Sequence, residues 1–74
     1  MQNIYLIKDL SRVSGQSNHT IKYYLKIGLL TEVGRGPDTN FRYFDDTTLE
    51  RLRRIRGLRS QKRSIKDIKR ELDG

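Results

Sequence analysis

The 74-residue chain contains no cysteine and no tryptophan, and it holds a single histidine, a single methionine and a single proline. Without cysteine it can form no disulfide bridge, thiolate metal site or cysteine nucleophile. The histidine, His19, has no second ligand or nucleophile at a spacing that would build a metal site or a catalytic pair. We therefore expect no catalytic residue, no metal site and no cofactor. A domain this short must be held together by helix packing and helix caps.

The sequence also lacks a long apolar run. No stretch approaches the roughly 18–20 apolar residues of a membrane span. Residues 1–15 interleave Lys8, Asp9 and Arg12 with apolar positions, unlike a signal peptide. We expect a single domain, because 74 residues leave no room for two, and we expect a cytoplasmic location without membrane contact.

Acidic residues are the minority: nine Asp and Glu stand against sixteen Lys and Arg, which gives a net charge of +7. The excess lies in residues 51–70, where Asp67 is the one acidic residue among ten basic ones. Such an excess favours a polyanionic partner, because each neutralised phosphate releases a condensed counterion. Composition alone also fits a basic surface that only keeps the protein in solution.

Capping residues and apolar spacing predict a helix-turn-helix near the N-terminus. The second helix has Ser17 as a favourable N-cap, covers about residues 17–27 and is closed by Gly28. The first helix ends at Gly15 and has apolar residues three apart at Ile7, Leu10 and Val13. A short turn containing glycine between two such helices is typical of the motif.

Two further helices are predicted in the C-terminal half. One covers about residues 46–61 and is capped by Asp45 or Asp46. The other covers about residues 64–72 and opens with Ser64 in the S-x-x-D spacing of a capping-box variant. Together the four helices predict a mostly α fold.

Residues 29–44 are predicted to form a small two-stranded antiparallel wing. Strands at 29–33 and 41–44 flank a loop, 34–40, that is rich in turn-forming residues. The fold class is therefore a four-helix winged helix-turn-helix. Spacing does not decide whether Phe41 or Phe44 is the aromatic that packs in the core.

The second helix carries the strongest local signal for function. At about 100° per residue, Ile21, Tyr24 and Leu25 form the buried side. The opposite side carries His19, Lys22, Tyr23 and Lys26. An exposed tyrosine among cations suits a phosphate-lined groove, because its hydroxyl and the ammonium groups all donate to phosphate oxygens. Tyr24 either packs as an ordinary core residue or packs its ring while its hydroxyl reaches out.

A second anion site is predicted where the fourth helix opens. Lys62 and Arg63 stand beside the free backbone N–H groups and the positive end of that helix. The arginines of the third helix are better interpreted as a solvated face. Their guanidinium groups pair with acids, and their aliphatic stems cover apolar surface. They are Arg51, Arg53, Arg54, Arg56 and Arg59.

Three stretches resemble the MerR family of bacterial transcription regulators. SNHTIKYYLKIGLL is similar to the recognition helix, FRYFDDTTLERLRRIRGLR to a wing strand and the third helix, and SIKDIKREL to the helix that closes the second wing. The resemblance covers about residues 4–72. His19 and Lys22 stand where arginine is usual, which leaves the target sequence open because lysine offers a point charge and arginine a planar fork.

The resemblance implies a DNA-binding domain that reads a duplex with its second helix. Asn18, His19 and Thr20 would lie nearest base edges, with Lys22 and Tyr23 nearer phosphates. The full set of predicted DNA-contacting residues is Asn18, His19, Thr20, Lys22, Tyr23, Tyr24, Arg35, Arg42, Tyr43, Lys62 and Arg63. Family members bind palindromic promoters as dimers through a long helix after position 72, and they distort the spacer so that RNA polymerase can use it.

This chain carries no such helix, so we expect it to be mainly monomeric by itself. An isolated domain of a longer regulator is favoured over a complete small protein. Two other functions stay open: an excisionase-like accessory protein that binds DNA beside cooperative neighbours, and a basic adaptor for RNA or an acidic protein. An enzyme is the least favoured, because no nucleophile–base pair or phosphate-cradling motif is present.

Overall fold

The computed structural model describes residues 3–74, which form four helices and one two-stranded antiparallel sheet. The helices are α1 (Ile7–Ser14), α2 (Asn18–Lys26), α3 (Asp46–Ser60) and α4 (Ile65–Asp73). The strands lie between α2 and α3 in the chain and are β1 (Gly34–Arg35) and β2 (Arg42–Tyr43). The predicted fold class is confirmed. Each helix within residues 3–74 is too short or too polar to span a lipid bilayer.

Local caps fix the start of α1 and both ends of the turn between α1 and α2. Asp9 accepts a hydrogen bond from the backbone N–H of Leu6 at 2.9 Å, which satisfies a free donor at the start of α1. Gly15 ends α1 in the left-handed region at φ 78°, where a side chain would be strained. Ser17 then caps α2, because its Oγ accepts from the N–H of Thr20 at 3.1 Å.

The cap of α3 is Asp45, one of the two residues that the sequence left open. Its carboxylate accepts from the N–H groups of Thr47 (3.0 Å) and Thr48 (3.4 Å). Asp46 has a different role, since it accepts from the Tyr5 hydroxyl at 2.8 Å. That bond ties the N-terminal segment to the first turn of α3.

The first strand lies later in the chain than the sequence predicts. We expected it over 29–33, but Leu29 and Leu30 are buried in the core at 0% and 1% exposure. Their backbone N–H groups donate to the carbonyl of Tyr24 at 2.8 and 3.1 Å. These donors close the end of α2 and cannot pair with a strand. The predicted strand is therefore wrong at Leu29 and Leu30. The N–H of Val33 does donate to the carbonyl of Tyr43 in β2 at 3.0 Å, and β1 itself begins at Gly34.

The sheet is short and depends on the N-terminal segment. Phe44 exchanges two backbone hydrogen bonds with Tyr5, at 2.7 and 2.8 Å, in an antiparallel bridge. An isolated hairpin is marginal in water, so the wing depends on this bridge and on the burial of Phe44 in the core. The strands themselves pair over two positions, Gly34 with Tyr43 and Arg35 with Arg42.

One apolar core lies between the helices and the sheet. Phe44 is fully buried within it, whereas Phe41 is 62% exposed, which decides the question that the spacing left open. The buried apolar residues are Leu10, Ile21, Tyr24, Leu29, Leu30, Phe44, Leu49, Leu52, Ile55 and Ile68. They come from all four helices, from the turn after α2 and from the end of β2.

Two arginines of α3 hold neighbouring elements in place. Arg51 donates from Nε to the carbonyl of Leu29 (2.7 Å) and from Nη2 to the carboxylate of Asp73 (2.7 Å). Arg56 donates from Nη1 to the carbonyl of Ser14 at 2.9 Å. These bonds satisfy carbonyls at or just beyond the ends of α1 and α2. Part of the basic excess on α3 therefore serves the fold.

The cap of α3 predicts a loss of stability in acid. The hydroxyl of Thr47 is the main cause that holds the pKa of Asp45 below its ordinary value, with help from the N–H groups of Thr47 and Thr48. A carboxyl whose folded pKa is lowered stabilises the fold above its unfolded pKa of about 4, and this contribution disappears as the pH falls through the folded pKa. We expect Tm to be level between about pH 7 and 5 and to fall below about pH 4.

Asp45→Asn tests that assignment, because asparagine also caps helices but does not titrate. Thermal melts followed by circular dichroism should show a difference in Tm between the two proteins that narrows as the pH falls. Parallel curves across the whole range would contradict a contribution from the Asp45 charge.

Candidate nucleic-acid interface

The outward side of α2 is exposed, as the helical periodicity predicts. Tyr23 is 48% exposed, while Ile21 and Tyr24 are buried at 0% and 6%. We call the exposed set Asn18, His19, Lys22, Tyr23 and Lys26 the α2 face. Each of its side chains stands free of the core, so this surface is open to a large partner.

Tyr24 belongs to the core and not to the α2 face. It is 6% exposed because its position on the helix lies beside Ile21, and its ring centroid lies 6.2 Å from that of Tyr23. We predicted Tyr24 among the DNA-contacting residues; its burial restricts any contact to the edge that reaches the surface. That edge lines the cleft described next.

A cleft of about 430 Å³ separates the α2 face from the corner between α3 and α4. It contains a cation, Arg59, whose Nη1 donates to the carbonyl of Arg63 at 3.0 Å. We call it the second-wing cleft; its lining residues are His19, Thr20, Tyr23, Tyr24, Arg59 and Ile65. No local pattern separates Arg59 from the other arginines of α3, because it reaches this cleft through the packing of α3 against α1 and α4.

A second cleft, of about 420 Å³, flanks the other side of the α2 face. It brings three cations together from three elements: Lys8 of α1, Lys22 of α2 and Arg42 of β2. We call it the first-wing cleft; the rest of its lining is Leu6, Ile7, Asn18, Asn40 and Phe41. Lys8 was not predicted as a site residue, since no local pattern connects the start of α1 with a strand more than thirty positions away.

The two predicted arginines of the first wing share one acid. Arg35 donates from Nε to Glu32 at 2.7 Å and from Nη2 at 3.2 Å. Arg42 Nε lies 3.8 Å from the same carboxylate. Arg35 is the main cause that holds the pKa of Glu32 below its ordinary value. The wing arginines are thus close together, and their charge is partly neutralised.

Tyr43 is half-buried and packs across the sheet on Gly34. A Cβ added at Gly34 would collide with the ring and hydroxyl of Tyr43, so a larger residue there would displace the phenol. The phenol that we predicted to approach DNA therefore lies against the wing backbone. Its exposed edge is what remains for a partner.

The corner between α3 and α4, residues 61–64, is the second wing. Lys62 is exposed and has φ 63°, and the N–H groups of Lys62 and Arg63 donate to the carbonyls of Arg59 (2.9 Å) and Leu58 (3.3 Å). This is a Schellman motif with lysine in the left-handed position that usually holds glycine. Ser64 then caps α4 by accepting from the N–H of Asp67 at 3.1 Å.

Arg63 is less available than Lys62. Its Nη2 donates to Glu71 at 2.8 Å, and its side chain is 36% exposed. Lys62 and Arg63 stand outside the lining of both clefts, so the second wing forms a separate cationic site beyond the second-wing cleft. Lys22 and Arg42 thus share the first-wing cleft, whereas Lys62 and Arg63 lie at the turn between α3 and α4, outside both clefts.

Comparison with known proteins agrees with this arrangement. The family described as "MerR HTH family regulatory protein" matches residues 5–74. The chain is 35% identical over 69 residues to the HTH-type transcriptional regulator CueR of Bacillus subtilis, covering 93% of this chain and 47% of CueR. It is 35% identical over 71 residues to the regulator SkgA of Caulobacter vibrioides, covering 96% of this chain and 28% of SkgA.

Solved structures show the same fold. HiNmlR, a MerR-family regulator that lacks the sensor domain and was crystallised bound to promoter DNA, matches with a TM-score of 0.86 and 34% identity over 96% of this chain and 53% of that one. A MerR-family transcriptional regulator from Bacillus cereus matches in fold with a TM-score of 0.91 at 21% identity, over 97% of this chain and 53% of that one. The chain thus spans about half the length of these proteins or less. It belongs to the MerR family of helix-turn-helix regulatory proteins.

Proposed function

We propose that this domain binds double-stranded DNA in a sequence-specific manner, as the DNA-binding domain of a transcription regulator. The observation that carries the proposal is the exposed α2 face between two cation-containing clefts. A helix of this diameter fits the major groove of B-DNA, and the clefts on its two sides are where the bordering phosphate strands would pass. The promoter DNA bound to HiNmlR, a protein of the same fold, supports it.

Each part of the surface has its own task in this proposal. Asn18, His19 and Thr20, in the first turn of α2, approach base edges and supply sequence preference. Lys22 and Tyr23 contact phosphates, together with Arg42 in the first-wing cleft. The wings contact the DNA backbone on each side, which fixes the position of the domain on the duplex without reading the base sequence.

Further properties follow from family membership and belong to the same proposal. A longer protein that contains this domain binds a two-fold symmetric promoter site as a dimer, and RNA polymerase responds to the resulting distortion of the promoter. The protein acts in the cytoplasm and carries out no catalysis. The domain alone is monomeric and binds more weakly than the dimer, because one half-site supplies only part of the contacts.

Selection of bound duplexes from a random pool tests the proposal, followed by titration of the selected duplex against a scrambled one. We expect a clear preference for the selected duplex and a single recurring half-site, which the dimeric longer protein would bind twice with two-fold symmetry. Tandem direct repeats would indicate an accessory DNA-binding protein instead. Equal binding of all duplexes, or tighter binding of RNA, would reject sequence-specific DNA binding.

Removal of the second-wing charges should weaken binding to every sequence alike. In the Lys62→Ala/Arg63→Ala variant, the salt dependence of log K should flatten by roughly one to two units, because phosphate contacts release counterions and read no bases. Alanine at position 62 keeps a Cβ in the left-handed region, so the variant changes charge while retaining the backbone strain. If only the selected duplex were affected, the second wing would not be a phosphate contact.

A further inference from the structure

Glu32 is an acid inside a surface that is otherwise cationic. It lies in the turn between α2 and β1, and its side chain is 31% exposed. It lines a cleft of about 430 Å³ that also contains Lys22, Lys26 and Arg42. Two of these cations belong to the α2 face and the third to the first wing, so the carboxylate stands where phosphates would approach.

The contacts of Glu32 are those that a phosphate would make. Arg35 donates a hydrogen bond to each oxygen of the carboxylate, from Nε to Oε2 (2.7 Å) and from Nη2 to Oε1 (3.2 Å). This is the bidentate geometry with which arginine binds carboxylates and phosphates alike. Arg42 Nε stands 3.8 Å from Oε1, so one carboxylate is shared by both wing arginines.

We propose that Glu32 competes with DNA phosphates for Arg35 and Arg42, and so limits the affinity of the first wing for any duplex. This inference rests on the proposed DNA binding. A phosphate that engages the wing must displace the carboxylate from the arginines or approach it against charge repulsion. In either case the guanidinium groups already have an anionic partner in the free protein, so the free energy gained when they bind a phosphate is smaller.

The effect is independent of sequence, because the atoms that compete are backbone phosphates. Glu32→Gln keeps the length and one acceptor oxygen of the side chain but removes its charge. We expect it to raise the affinity for the selected and the scrambled duplex by the same factor, about twofold to fivefold near 50 mM salt. The salt dependence should steepen by about 0.9 for one additional neutralised phosphate.

The test is fluorescence anisotropy with both duplexes over a series of salt concentrations. Glu50→Gln is the matched control. Glu50 is exposed on α3 and has no ion pair within residues 3–74, so its substitution changes the net charge by the same amount and leaves the contacts of the wing arginines unchanged. In the wild-type background, the gain in affinity from Glu32→Gln should exceed the gain from Glu50→Gln. In an Arg35→Ala/Arg42→Ala background, where the competition has been removed, the two substitutions should have the same effect.

A gain from Glu32→Gln no larger than that from Glu50→Gln would overturn the inference, provided that circular dichroism shows equal folding. So would a gain that persists without the two arginines. Specific binding by the wild-type domain together with either result would leave the proposed function intact. No binding of wild type to either duplex would reject the proposed function and this inference together.

Discussion

Phe44→Ala lowers the free energy of unfolding by about 3–5 kcal/mol, which in a domain of this size leaves a large fraction of molecules unfolded. Phe44 is fully buried and lies at the end of β2, where its backbone also pairs with Tyr5. Loss of the ring removes apolar contacts and leaves a cavity that a short chain has few neighbouring side chains to fill. Urea unfolding followed by circular dichroism measures the change.

Phe41→Ala is the matched control, because the same side chain is removed three positions away. Phe41 is 62% exposed, so its loss should change the free energy of unfolding by no more than about 0.5 kcal/mol. Similar losses in the two variants would mean that the wing aromatics share the core, contrary to the structure.

Tyr23→Ala weakens binding to the selected duplex by about 1–3 kcal/mol, which is the second large effect that we expect. Tyr23 is 48% exposed on the α2 face and borders the second-wing cleft, so its ring and hydroxyl are free to meet a phosphate and its sugar. The fold should be unchanged, because Tyr23 lies outside the apolar core. Anisotropy titration and a thermal melt measure the two properties separately.

Tyr23→Phe separates the contribution of the hydroxyl from that of the ring. If the hydroxyl donates to a phosphate, the phenylalanine variant loses part of the affinity that alanine loses. Affinity for the selected duplex that stays at the wild-type value in Tyr23→Ala would remove Tyr23 from the interface.

The helices could be predicted because their signals are local. Ser17 and Gly15 lie within a few residues of the backbone groups that they satisfy, and the same holds for Ser64. The exposed side of α2 was likewise predictable from the 3.6-residue period. Each of these inferences needs no knowledge of distant parts of the chain.

The wing was predicted less well because its position depends on tertiary contacts. Leu29 and Leu30 have the apolar character of a strand, but the carbonyl of Tyr24 takes their N–H groups and the core takes their side chains. β1 lies where Gly34 and Arg35 pair with β2. Neither the hydrogen bonds to Tyr24 nor the burial of Leu29 and Leu30 can be predicted from the local sequence of residues 29–33.

The candidate site was predicted in its centre and incompletely at its edges. Lys22 and Tyr23 stand on the exposed face of α2, as their period requires. Lys8 reaches its cleft because α1 packs against α2, and Arg59 reaches the other because α3 packs against α1 and α4. The partial neutralisation of Arg42 by Glu32 depends on the turn that precedes β1. Long-range packing therefore decides which cations of a basic sequence share a surface.

The left-handed lysine in the second wing sets two selection pressures against each other. Glycine would relieve the backbone at position 62, where φ is 63°, by removing the steric penalty of roughly 1 kcal/mol that a Cβ incurs there. A library screened for resistance to heat should therefore enrich glycine at this position. If Lys62 contacts a phosphate as proposed, a library screened for retention on a DNA column should keep lysine. On the proposed role of Lys62, selection for thermal stability alone would then weaken DNA binding while leaving every core residue unchanged.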